Sequence, residues 1–98
     1  MARKHDARLA ILVALEGARI PLSLDQLADS LDIQAAGVSR AEIVDELAGL
    51  KARGYVEDPL ARQAPNTCLR IAAAGRDQVR RDADMDPYLY GNNAFIGS

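Results

Sequence analysis

The sequence SRAEIVDELAGLKARGYV, residues 39–56, contains the start, the body and the end of one amphipathic helix, followed by a strand. Ser39 is a favourable N-cap, and Glu42 stands three residues later, which is the spacing of a capping box. Gly54 follows the last turn, where a glycine adopts left-handed backbone angles at little cost. The apolar residues at helical spacing predict a buried stripe, which consists of Ile43, Leu47 and Leu50 with Val44 beside them.

A second helix and a hairpin flank this segment. Ser23 is the predicted N-cap of the second helix, with Gln26 at the capping-box position, and segment 32–38 predicts the turn between the two helices. Segments 55–57 and 68–71 predict two strands, joined by a loop rich in turn-forming residues. This order predicts an α+β, mainly α chain with a winged helix-turn-helix fold: three helices, a two-stranded wing and a C-terminal helix. The core-facing residues predicted for the second helix are Leu24, Leu27, Ala28 and Leu31.

The first predicted helix spans residues 6–17 and is apolar on more than one side. A proline then favours an extended conformation over residues 20–22. The predicted final helix, residues 73–84, has Val79 as its one large apolar residue and offers little to cover the first helix. We therefore expect a homodimer built on the first helix, through Leu9, Leu12 and Val13.

The chain divides into a predicted winged helix-turn-helix domain, residues 1–84, and a C-terminal tail, residues 85–98. The tail contains most of the aromatic residues, namely Tyr88, Tyr90 and Phe95. Because solvated tails are poor in aromatic residues, we expect docking onto the same domain, a second subunit or another protein. The alternative is a frayed end.

Composition excludes several classes of function. One cysteine and one histidine permit no intramolecular disulfide and no cysteine-rich zinc site, and no nucleotide-binding or catalytic motif is present. Residues 82–86 resemble the start of a calcium loop, but Pro87 and Asn93 stand where glycine and glutamate are required. No apolar segment is long enough to cross a bilayer, and no signal-peptide cleavage pattern is seen. We expect a cytoplasmic protein that is not an enzyme and has no metal or cofactor.

The predicted DNA interface is the outer face of the third helix together with the wing loop. Its residues are Ser39, Arg40, Ala41, Val44 and Asp45 on the helix and Arg62 and Gln63 in the loop. The net charge of −2 and the carboxylates of Glu42, Asp45 and Glu46 oppose binding to phosphates. Two alternatives therefore stay open. One is an ordinary solvated face, and the other is a protein-interaction module that docks through the tail.

The phrase LSLDQLADSLDI…VSRAEIVDELAGLKARGYVE resembles the winged-helix transcription regulators of the ArsR, MarR and PadR kind. Residues 69–76 resemble the L-x-L-T-x-x-G-R stretch that ends the wing in many of them, although Ala72 stands where threonine is usual. The short length and the tail are similar to the small winged-helix proteins of Mu-like phages and prophages. The resemblance implies a sequence-specific DNA-binding regulator from a phage or bacterium. The cysteine pairs of metal-sensing relatives are absent.

Overall fold

Helices dominate the computed structural model, which describes residues 3–91. Within this range, the elements in chain order are α1 (Lys4–Ala18), α2 (Leu24–Ala28), α3 (Leu31–Ala36), α4 (Arg40–Ala52), β1 (Val56–Glu57), β2 (Arg70–Ile71), α5 (Ala73–Arg80) and α6 (Pro87–Tyr90). The two strands form one antiparallel sheet. The fold is therefore α+β and mainly helical, as the sequence predicted.

Helix α1 lies at the centre of the fold and contacts the other helices and β2. Its apolar sequence is explained by this position, since a helix surrounded by other elements is buried on more than one side. The largest side chains that are fully buried come from α1, α2, α3, α4 and α6 and from the residue just before β2: Ile11, Leu12, Leu27, Ile33, Ile43, Leu47, Leu50, Leu69 and Leu89. The predicted inner face of α4 is confirmed, because all three of its stripe residues are buried.

Serine caps begin three of the helices. At α2 the predicted capping box is complete: Ser23 Oγ accepts a hydrogen bond from Gln26 N at 3.1 Å, and Gln26 Oε1 accepts one from Ser23 N at 2.9 Å. At α4 the Ser39 side chain accepts a hydrogen bond from the Glu42 amide at 3.1 Å, so that half of the predicted box is present. These bonds satisfy backbone donors that have no partner inside the helix.

The segment that was predicted as a turn, residues 32–38, is largely helical, and that prediction is wrong. Helix α3 begins at Leu31 because the Ser30 side chain caps it, accepting a hydrogen bond from Ile33 N at 3.4 Å. Gly37 ends it with a φ of 69°, so the connection to α4 is shorter than predicted. Leu31 was predicted to face the core but is 86% exposed, and Ile33 occupies the buried position instead.

The strands pair Val56 with Ile71 and Glu57 with Arg70. The predicted extended segment before α2 joins this sheet at one point. Leu22 and Leu69 exchange two backbone hydrogen bonds of 2.8 and 2.7 Å, forming an isolated antiparallel bridge. This bridge ties the chain between α1 and α2 to the hairpin.

Two helix ends differ from the prediction. Helix α1 was predicted to stop at Gly17, but it continues to Ala18, and Arg19 ends it with a φ of 60°. Helix α5 ends at Arg80 and not at Asp84, because Arg81 adopts a left-handed conformation with a φ of 59°. There the Asp82 amide donates to the carbonyl of Asp77 at 2.8 Å, a Schellman-type bond that closes the helix. The acidic residues after it would also oppose the helix dipole.

Candidate nucleic-acid interface

The helical part of the predicted DNA interface lies on the solvent-exposed face of α4. Its inner face is held in the core, so the residues between the buried positions point outward. All five residues predicted on this helix and its cap are exposed: Ser39, Arg40, Ala41, Val44 and Asp45. Val44 keeps 42% of its surface accessible, which is high for a large apolar side chain. The surface is therefore open to a macromolecule along the first turns of α4.

The charges around α4 are more balanced than the sequence indicates. The Arg40 guanidinium forms an ion pair with Asp25 of α2. On the other side of the helix, Arg8 Nε lies 2.7 Å from Glu46 Oε1, and both side chains are mostly buried. Glu42 is partly buried, so among the three carboxylates expected to repel DNA, Asp45 is the one that is exposed. The outer face of α4 thus carries the Arg40–Asp25 ion pair and the exposed carboxylate of Asp45, and so has no excess of positive charge.

The loop between the strands, residues 58–69, is anchored to the C-terminal half of α4. Lys51 Nζ donates to Asp58 Oδ2 at 2.9 Å and to Asn66 Oδ1 at 2.6 Å. The Asn66 amide donates to the same Asp58 oxygen at 2.9 Å, and Asn66 has a φ of 61°. Burial alone raises the pKa of Asp58, but the hydrogen bonds from Asn66 and Lys51 outweigh it and hold this pKa below its ordinary value.

Sequence reasoning missed this anchor. The available indication was an asparagine in a turn-rich loop, since asparagine tolerates left-handed angles better than most residues. The structure places Arg62 and Gln63 in this loop, and both are exposed. Lys51 of α4 therefore links this loop to the helix that presents the other predicted interface residues.

The residues predicted for a dimer interface divide into two groups. Leu12 is fully buried in the core of its own chain, so the prediction that it faces a partner is wrong. Leu9 and Val13 are half-buried and line a shallow groove of about 610 Å³ between α1 and α3. The argument that helix 1 lacks a covering element is also wrong, because α6 packs on α1.

The tail supplies that cover. Leu89 of α6 is fully buried, and Tyr88 and Tyr90 pack at the edge of the core. The guanidinium groups of Arg8 and Arg53 each lie 3.7 Å from the centre of the Tyr88 ring, a cation–π geometry. Arg8 also donates to the Tyr88 carbonyl at 3.1 Å. Residues 87–90 thus dock on their own domain, whereas Phe95 lies outside the described residues.

A polar network holds the start of α6. The Tyr55 hydroxyl donates to Asp86 Oδ2 at 2.5 Å, the Tyr88 amide donates to Asp86 Oδ1 at 2.9 Å, and buried Gln78 accepts from the Asp86 amide at 3.0 Å. Burial and then the bond to Asp86 raise the pKa of Tyr55 to about 12. Burial acts to raise the pKa of Asp86, but the bonds from Tyr55 and Tyr88 keep it below its ordinary value.

Residues 3–91 hold no cluster of three or more histidine, cysteine, aspartate or glutamate side chains arranged to bind a metal ion. Cys68 is partly buried in the chain segment leading to β2. His5 lies 3.4 Å from Asp6 in the first turn of α1. None of the helices in this part of the chain has the length and apolar character that crossing a membrane requires.

In comparisons with protein-family models, curated proteins and solved structures, this chain matches none.

Proposed function

We propose that this chain is a winged helix-turn-helix protein that binds duplex DNA and regulates transcription. In this proposal α4 enters the major groove and loop 58–69 is the wing. The observation that carries it is the two-sided character of α4, whose N-terminal half exposes residues 39–41, Val44 and Asp45 while Ile43 and Leu47 are buried. The buried face fixes α4 on the core, and the exposed face is free to contact base edges.

Arg40 can be released for DNA at small cost. Its ion pair with Asp25 is solvent-exposed, with 58% and 75% of the two side chains accessible. Exposed pairs of this kind contribute about 0–1 kcal/mol. A guanine edge or a phosphate group can therefore replace Asp25 as the partner of Arg40. Arg62 in loop 58–69 is exposed, and in this proposal it is a second cation that reaches a minor groove, as wing arginines do.

The low number of cations near α4 predicts weak binding by a single subunit, since phosphate neutralisation supplies much of the affinity for DNA. We therefore also propose a homodimer, formed through the α1–α3 groove that Leu9 and Val13 line. Arg3, Asp6 and Asp32 also line this groove, so the two-fold contact in this proposal pairs the arginine of one subunit with a carboxylate of the other. Two subunits on adjacent half-sites would double the phosphate contacts. Sedimentation of a monomer at tens of micromolar protein would contradict the dimer.

The direct test is titration of labelled duplex, as a random pool and as native upstream sequence, at about 50 mM salt, where electrostatic binding is strong. Arg62→Ala should weaken binding to most sequences and reduce the salt dependence, whereas Arg40→Ala should also relax the preference at one base pair. Asp45→Asn should strengthen non-specific binding. Arg81→Ala, at an exposed arginine just after α5, is the matched control and should leave binding unchanged.

A second candidate function is supported by the lack of excess positive charge on the same face. Because Asp25 offsets Arg40 and Val44 is 42% exposed, the outer face of α4 also fits a protein partner with an apolar contact surface. If the wild-type chain does not bind duplex at about 50 mM salt and Asp45→Asn changes nothing, the DNA proposal fails and this one remains. A photo-crosslinker at Val44 should then capture the partner, while one at Arg80 should not.

A further inference from the structure

A groove of about 440 Å³ lies where the end of α1 meets β2 and α5. Four arginines and one glutamate line it: Arg19, Arg70, Arg76, Arg80 and Glu16. They come from three separate places in the chain, so the fold and not a local basic run assembles the cluster. The volume lies within the range of sites that bind small ligands.

The groove has an excess of positive charge even after its internal ion pairs are formed. Glu16 accepts from Arg76 Nε and from Arg80, both at 2.9 Å, and Arg70 pairs with Glu57 at 3.0 Å. The hydrogen bond from Arg76 contributes most to lowering the pKa of Glu16, which keeps its carboxylate ionised. The four guanidinium groups and these two carboxylates leave an excess of two positive charges.

The groove also has an apolar edge. Ile20 is 63% exposed, and it lines the groove beside Pro21. Pro21 has no backbone N–H, and Leu22 already uses its backbone groups to bond Leu69. The edge is thus a poor place for an added β-strand but offers apolar surface next to the guanidinium groups.

We propose that this groove binds a phosphate monoester, with the phosphate held by the arginines and its organic group packed on Ile20 and Pro21. A phosphate monoester carries a charge of about −1.5 to −2 at neutral pH, which matches the excess of two. Guanidinium groups form paired hydrogen bonds with phosphate oxygens, so arginine suits this group better than lysine does. The proposal uses none of the residues assigned to DNA and does not depend on DNA binding.

The test is titration of the ¹⁵N-labelled full chain with phenyl phosphate at constant ionic strength, followed by amide and arginine Nε chemical shifts. We expect saturable changes at the four groove arginines and at Ile20. Arg76→Gln should weaken binding about tenfold, the loss typical of one charge-assisted hydrogen bond. Glu16→Gln should strengthen it, because it removes the competing carboxylate. Arg62→Gln makes the same charge change in the loop and should have no effect.

Two further probes separate the parts of the proposal. Inorganic phosphate should bind more weakly than phenyl phosphate if the organic group packs on Ile20, and equal affinity would overturn that assignment. The phosphate monoester could belong to a phosphorylated protein or to a small molecule. A short neutral peptide with one phosphoserine, compared with phenyl phosphate, distinguishes these two sources. Binding of either phosphoserine peptide or phenyl phosphate supports the chemistry. Equal effects of Arg76→Gln and Arg62→Gln, or binding of neither probe, would overturn the site.

Discussion

The substitution Leu89→Ala removes the side chain that joins the tail to the core. Leu89 has no accessible surface, and α6 packs directly on α1. Replacing a core leucine with alanine costs about 2–5 kcal/mol, and the cost is smaller where the surroundings can close the cavity. Since α6 is a single turn that can shift toward α1, we expect a loss of about 3 kcal/mol. Small domains have about 5–15 kcal/mol of stability in total, so this is a large share.

Urea unfolding measured by circular dichroism tests this expectation. With a slope of about 1–3 kcal/mol per molar urea, the midpoint should fall by roughly 1–3 M. Leu31→Ala is the matched control, because it makes the same change at a leucine that is 86% exposed, and it should alter stability by no more than about 0.5 kcal/mol. If the Leu89→Ala midpoint moved no further than that of the control, the tail would not belong to the core and the reasoning would be refuted.

Three other predictions concern glycines and the network around Asp86. Gly75→Ala should lower the thermal midpoint, because a Cβ there would overlap the Tyr55 carbonyl oxygen. Gly17→Ala should raise it, because a Cβ at that helical position meets no atom within 4 Å. Shifts of the same sign in the two variants would contradict this. Because the pKa of Asp86 is lowered in the folded state, its carboxylate stabilises the fold fully above about pH 4, and this stabilisation is lost as the pH falls through the folded-state pKa. The free energy of unfolding of Asp86→Asn should therefore fall less steeply with acid than that of the wild type. The pKa of Tyr55 is raised from 10.0 to about 12, so its protonated hydroxyl stabilises the fold fully below pH 10, and this stabilisation is lost as the pH rises toward 12. Tyr55→Phe should therefore remove the last phase of the tyrosinate absorbance titration and flatten alkaline unfolding; a titration with that phase intact would count against the hydrogen bond to Asp86.

The elements that sequence reasoning predicted well are those governed by neighbours a few residues apart. The Ser23 capping box, the buried stripe of α4 and the glycine at residue 54, with a φ of 79°, all depend on contacts or angles within one or two turns. The exposure of the predicted interface residues on α4 followed from the same helical period. The local pattern does not reveal helix α3, because its cap, Ser30, follows closely on the end of α2 and Gly37 also fits a longer turn.

The charge of the candidate interface required the tertiary structure. Asp25 neutralises Arg40 across two helices, and Arg8 neutralises Glu46 from a position 38 residues away in the sequence. No local pattern reveals such pairs, because they depend on which helix faces pack together. The arginine groove has the same origin, since Glu16 meets Arg76 and Arg80 at sequence separations of 60 and 64.

The sequence by itself therefore determined α2, α4 and most of α1, the hairpin and the mainly helical fold, since these arise from interactions between near neighbours. The tertiary structure decided the role of residues 87–90, for which the sequence left docking and fraying both open. Arg8 and the Tyr88 carbonyl are 80 residues apart, and burial of Leu89, packing of Tyr88 and Tyr90 and the hydrogen bonds of Asp86 act together against the conformational freedom that this segment loses. A long-range balance of this kind is a property of the folded chain as a whole.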